Sequence, residues 1–94
     1  MDNKEFIKNC EIVVAQILTC WGNGIKCYET NGKKQFCLES NHSWGTAYCD
    51  WSKDKCKIFE ALKSVGATNI SGKVEWNCVR LYFNKRKRPI KISF

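Results

Sequence analysis

Apolar residues in the first part of the chain recur at three- and four-residue steps: Phe6, Cys10, Val13, Val14, Ile17, Leu18 and Trp21. That spacing puts them on one face of a helix turning every 3.6 residues. Asp2 and Glu5 stand three apart in front of this stripe, the spacing of a capping box with Asp in the position Ser or Thr favours. Gly22 and Gly24 are expected to end the helix. From Ile25 the pattern changes to alternation, centred on Asn31-Gly32, a strong signal for a two-residue hairpin turn. Counting outwards from that turn pairs Thr30 with Lys33, Glu29 with Lys34 and Cys27 with Phe36. Ile25, Cys27, Phe36 and Leu38 then share a buried face, while Tyr28, Gln35 and Cys37 point the other way.

A polar loop from Glu39 to Ser43 leads to an expected third strand, Thr46 to Trp51, in which Ala47, Cys49 and Trp51 alternate with Thr46, Tyr48 and Asp50. Ser52 reads as an N-cap for a second helix from Lys53 to Val65 that buries Cys56, Phe59, Leu62 and Val65, with Gly66 closing it. Val74 to Phe83 reads as a strand whose alternation slips: Val74, Trp76 and Cys78 share one parity, Val79, Leu81 and Phe83 the other. A bulge near Cys78, or burial on both faces, accounts for such a slip. Ile90, Ile92 and Phe94 alternate in a last strand. The expected order is α-β-β-β-α-β-β: one α+β domain over residues 1–94, an antiparallel sheet against two helices, with a basic C-terminal hairpin.

Composition agrees with a folded domain: 94 residues, 44% hydrophobic and 13% aromatic. The longest uninterrupted apolar run, Ile12 to Ala15, falls far short of the roughly 18 residues that span a membrane. Met1 to Glu5 has neither the basic start nor the apolar stretch of a signal peptide, so a cytoplasmic protein is expected.

The seven cysteines, Cys10, Cys20, Cys27, Cys37, Cys49, Cys56 and Cys78, are odd in number and contain no C-x-x-C pair. With His42 as the one histidine, the spacing offers no zinc site, and no metal or cofactor is expected. Reduced cysteines acting as small core hydrophobes fit better, Cys10 and Cys56 lying on the two helical stripes. A cysteine nucleophile would need His42 beside it as base, and no Gly-rich phosphate loop, G-x-S-x-G or H-E-x-x-H motif is present. The expectation is a non-enzymatic protein.

Charge changes the picture most. Residues 1–72 net +1, whereas residues 73–94 net +6 through Lys73, Arg80, Lys85, Arg86, Lys87, Arg88 and Lys91 against Glu75. Lys85 to Arg88 are expected at the tip of the terminal hairpin, where four adjacent cations repel one another. A phosphate backbone relieves that repulsion and releases counterions, so DNA or RNA is the expected partner, with Trp76, Tyr82 and Phe83 as nearby stacking surfaces. An acidic surface on a nucleic-acid-handling protein would suit the same cations, as in a small phage or mobile-element inhibitor. Either function is compatible with a monomer or a homodimer.

Finally, the first five expected elements, with Lys53 and Lys57 in Ser52-Lys53-Asp54-Lys55-Cys56-Lys57, loosely resemble a double-stranded-RNA-binding domain. The resemblance implies phosphate contacts from those two lysines. Asp54 stands where that family has a second lysine, Asn31-Gly32 is too tight for its minor-groove loop, and the last two strands have no counterpart there.

Overall fold

A computed structural model describes residues 2–18, 24–30, 32, 35–41 and 50–86. Helix α1 (Asn3–Ala15) begins where Asp2, in extended conformation, accepts a 2.8 Å hydrogen bond from the Glu5 backbone N–H. This satisfies one of the amide donors a helix start leaves unpaired. The expected stripe is real: Phe6, Cys10, Val14 and Leu18 are buried, and Val13 and Ile17 lie half-buried beside them. The helix stops earlier than expected. Ile17 donates to Val14, a three-residue step that tightens the last turn, and the expected glycine stop at Gly22 falls outside the described residues.

Strands β1 (Ile25–Glu29) and β2 (Phe36–Asn41) form the expected hairpin in a different register. Cys27 pairs with Leu38 and Glu29 with Phe36, not Cys27 with Phe36. The loop is longer than two residues: the backbone N–H and hydroxyl of Thr30 both donate to the Gln35 carbonyl, at 2.9 and 3.1 Å. Because side chains alternate with period two, a shift of two leaves the faces unchanged. Cys27, Phe36 and Leu38 are therefore buried together as expected.

The expected strand at Thr46 to Trp51 lies mostly outside the described residues, and its last member is not extended. Trp51 opens a 3-10 turn, Trp51–Asp54, and is itself buried. Asp50 caps this turn, accepting from the Ser52 backbone N–H and hydroxyl, so Ser52 is inside the turn and is not the cap of the next helix. Helix α2 (Lys55–Ser64) buries Ile58 and Leu62, with Phe59 half-buried, and leaves Cys56 exposed. The buried stripe centres on Ile58 and Leu62, four residues apart on one face, and at about 100° per residue Cys56 lies roughly 200° round the helix from Ile58. Gly66 closes the helix as expected, at φ +106°, and its carbonyl accepts from the Arg86 N–H at 2.8 Å.

Strands β3 (Ala67–Val74) and β4 (Cys78–Lys85) complete the sheet. Their connection explains the slip in alternation: Val74 pairs with Val79 and Glu75 donates to the Cys78 carbonyl at 2.8 Å, leaving Trp76 and Asn77 as a two-residue loop. The parity changes because the chain reverses there, and no bulge at Cys78 is involved. A register shift does occur in β3, between Thr68 and Ser71, where Asn69 takes φ +53°. The expected strand Ile90–Phe94 lies outside the described residues.

The four strands run β1-β2-β4-β3, each antiparallel to its neighbour, and both helices cover one face. The architecture is α+β, as the sequence indicates. Its core centres on three rings: Phe6 meets Phe36 edge-on at 4.9 Å and Phe83 edge-on at 6.0 Å, while Phe36 and Phe83 lie nearly parallel at 6.3 Å. No helix among the described residues is long and apolar enough to cross a membrane.

Candidate nucleic-acid interface

With Phe36, Leu38, Val79, Leu81 and Phe83 facing the helices, alternation sends the intervening residues of every strand to the opposite face. Strand pairing then aligns them into cross-strand rows. One row reads Tyr28, Cys37, Tyr82, Ser71; the next reads Lys26, Glu39, Arg80, Lys73. Neither helix covers this face.

In the second row Arg80 lies between a carboxylate and a cation. Its Nε is 3.5 Å from Glu39 Oε2, a pair exposed on the Arg80 side and half-buried on the Glu39 side. On its other side Lys73 is its direct cross-strand partner, and both side chains are exposed. Like charges placed opposite one another in this way destabilise a sheet. With Arg80 open to solvent, the Glu39 contact is worth about 0–1 kcal/mol and leaves Arg80 available to a stronger anion.

The first row is aromatic around a thiol. Tyr28 is 42% exposed, whereas Cys37, although on the outer face, is 1% exposed. A hydrogen bond between the Tyr28 hydroxyl and the Cys37 thiol, reinforced by desolvation and by the charge of Glu39, pushes the phenol up to about 12. Burial in turn pushes the Cys37 thiol up, outweighing the Tyr28 bond that lowers it. The phenol therefore stays protonated at neutral pH, held beside the Cys37 thiol of β2.

The structure brings together three of the sequence candidates, Lys73, Arg80 and Tyr82, and places Trp76, 52% exposed, in the β3–β4 loop at one end of the sheet. It separates others. Lys85 ends β4 and belongs to the helix-facing parity; its ammonium donates to Asn3 Oδ1 at 2.7 Å, and Asn3 donates on to Glu29 Oε1 at 2.7 Å. That relay ties the start of α1 to two strands, so Lys85 is not at a hairpin tip. Arg86 is exposed and anchored through its backbone to Gly66. Lys87, Arg88 and Lys91 lie outside the described residues. Phe83 is not a stacking surface, because it is fully buried among Phe6 and Phe36. Lys53 and Lys57, singled out by the family resemblance, are exposed at the start of α2, with Lys57 3.7 Å from Asp54.

Sequence reasoning missed Lys26 and Tyr28 as site residues, although the hairpin alternation already put Tyr28 on the outward face. The described cysteines Cys10, Cys27, Cys37, Cys56 and Cys78 are free thiols. A hydrogen bond with Cys10, then burial, pushes Cys27 up; burial and Glu75 push Cys78 up. These shifts disfavour the thiolate, the reverse of an activated nucleophile. Among the described residues no three His, Cys, Asp or Glu side chains cluster as a metal site would require. Compared with protein-family models, curated proteins and solved structures, the chain matches none.

Proposed function

We propose that this is a small, non-enzymatic nucleic-acid-binding protein of the cytoplasm that holds phosphates on the sheet face opposite the helices through Lys26, Arg80 and Lys73. The supporting observation is the direct pairing of Lys73 with Arg80, an arrangement unfavourable to the isolated fold that a bound phosphate would relieve. In the sequence Arg86, Lys87, Arg88 and Lys91 follow β4 and add to the net positive charge that attracts a polyanion. Free thiols at Cys10, Cys27, Cys37, Cys56 and Cys78 suit a reducing compartment.

Each lysine or arginine that neutralises a phosphate contributes about 0.9 to the log–log salt slope on duplex DNA and about 0.7 on single strands. Fluorescence anisotropy of labelled DNA and RNA across a salt series therefore tests the reading. Replacing both Lys73 and Arg80 by alanine is expected to flatten the slope by about 1.4–1.8. An unchanged slope would remove this face from the binding surface. Failure of the intact protein to bind at low salt would refute nucleic-acid binding and favour an acidic protein partner.

A further inference from the structure

We propose that the ligand is a single strand laid across the sheet, with unpaired bases stacked on Tyr28 and Tyr82 and its phosphates along the Lys26–Arg80–Lys73 row; this rests on the nucleic-acid reading above. The first argument is shape. Four strands at about 4.8 Å spacing make a platform about 14 Å across before side chains are added, wider than the roughly 12 Å major groove that admits a helix or a two-stranded ribbon. A duplex meets this face at its backbone alone, whereas a single strand brings its bases to it.

The second argument is the arrangement of rings. Tyr28 and Tyr82 are both cross-strand partners of Cys37, so their backbones are separated by two strand spacings, about 10 Å. Between them stands Cys37, 1% exposed, so among the described residues the two rings flank nothing larger than a thiol in their row. Neither tyrosine belongs to the helix-facing core. Tyr28 is 42% exposed and Tyr82 half-buried. Every base has a π-face, so stacking of this kind is tolerant of sequence.

The third argument is the position of the charges. The Lys26–Glu39–Arg80–Lys73 row is displaced from the tyrosine row by two residues along each strand, about 7 Å. Bases on one row and phosphates on the next correspond to the two sides of one polynucleotide chain. Glu39, held by Arg80, interrupts the cations at β2, so phosphate contacts fall at the two ends of the row, at Lys26 and at the Arg80–Lys73 pair.

The test compares a labelled oligothymidylate and oligouridylate with a mixed-sequence duplex of the same length, using the full chain in reducing buffer. Single strands are expected to bind at least tenfold more tightly than the duplex. Tyr28→Leu and Tyr82→Leu are each expected to weaken single-strand binding about tenfold with the salt slope unchanged, because stacking releases no counterions. Tyr28→Phe keeps the ring and is expected to bind as the parent does, separating stacking from a role for the hydroxyl. Circular dichroism checks that each variant is folded, and Tyr28, being exposed, is the variant least exposed to that objection. Equal affinity for single strand and duplex, with both leucine variants unaffected, would overturn the single-strand inference and leave the nucleic-acid reading standing. Absence of binding to any of the three probes would overturn both.

Discussion

Gly72 is the backbone position on which the geometry of the proposed face most depends. It sits in β3 between Ser71 and Lys73, at φ +119°, opposite Leu81. A β-carbon built there would overlap the Arg80 carbonyl oxygen and come within 3.0 Å of Leu81 Cα. Both obstacles are backbone, so no side-chain rotation relieves them. Gly72→Ala must therefore adopt a conformation that costs about 1–3 kcal/mol for an L-residue. It must also move β3 away from β4, and two or three weakened ladder hydrogen bonds add roughly 1 kcal/mol each. The expected loss is about 3–6 kcal/mol, out of the roughly 5–14 kcal/mol available to a chain of this length. Thermal unfolding followed by circular dichroism should show a midpoint lowered by about 12 °C or more. Gly24→Ala is the control, since Gly24 has no positive φ and nothing within 4 Å of an added β-carbon; it should stay within about 0.5 kcal/mol of the parent. If Gly72→Ala matched that control, the close approach of β3 to β4 would be wrong, and the Lys73–Arg80 pairing would fall with it.

Phe6→Ala removes a fully buried ring from two edge-on contacts and should cost about 3–5 kcal/mol in urea unfolding; a cost under 1 kcal/mol would refute the aromatic core. Cys27 and Cys37 are held as thiols in the fold above their ordinary range. Unfolded, they ionise near pH 8.5, so above that pH the folded state binds more protons and stability falls as pH rises, by up to about 1.4 kcal/mol per unit for each thiol. The contribution is fully present below about pH 8, and a melting temperature that stays flat from neutral pH to about pH 10 in reducing buffer would contradict it. Asn69 holds φ +53° at the irregularity in β3. Asn69→Gly should be nearly neutral and Asn69→Ala about 1 kcal/mol worse, measured by the same unfolding assay; the opposite order would rule out a left-handed residue there.

The α+β class, the helix stripe through Phe6, Cys10 and Val14, and the two faces of the first hairpin were legible because each follows from periodicity alone. Face assignment survived even the wrong register, since a shift of two residues preserves alternation. What depended on chain reversal was not legible. The Trp76–Asn77 loop carries no glycine, so Val74 to Phe83 read as one irregular strand, and residues 67–72 suggested no element because Asn69, Ser71 and Gly72 are poor strand formers. That one error displaced the site. With β3 unseen, Lys73 and Arg80 looked like successive cations near a basic tip, whereas pairing makes them neighbours in a row that reaches Lys26 on β1. On α2 Cys56, Phe59 and Leu62 compete with Ile58, Leu62 and Val65 as the apolar stripe, and the second set faces the core, leaving Cys56 exposed.

The most direct measurement is a backbone amide chemical-shift map of the labelled protein titrated with a short oligothymidylate. The account predicts changes concentrated at Lys26, Tyr28, Cys37, Arg80, Tyr82 and Lys73, with Phe6, Ile58 and Leu62 on the helix side unmoved. Changes centred on α1 or α2, with the tyrosine and Arg80 rows silent, would contradict it.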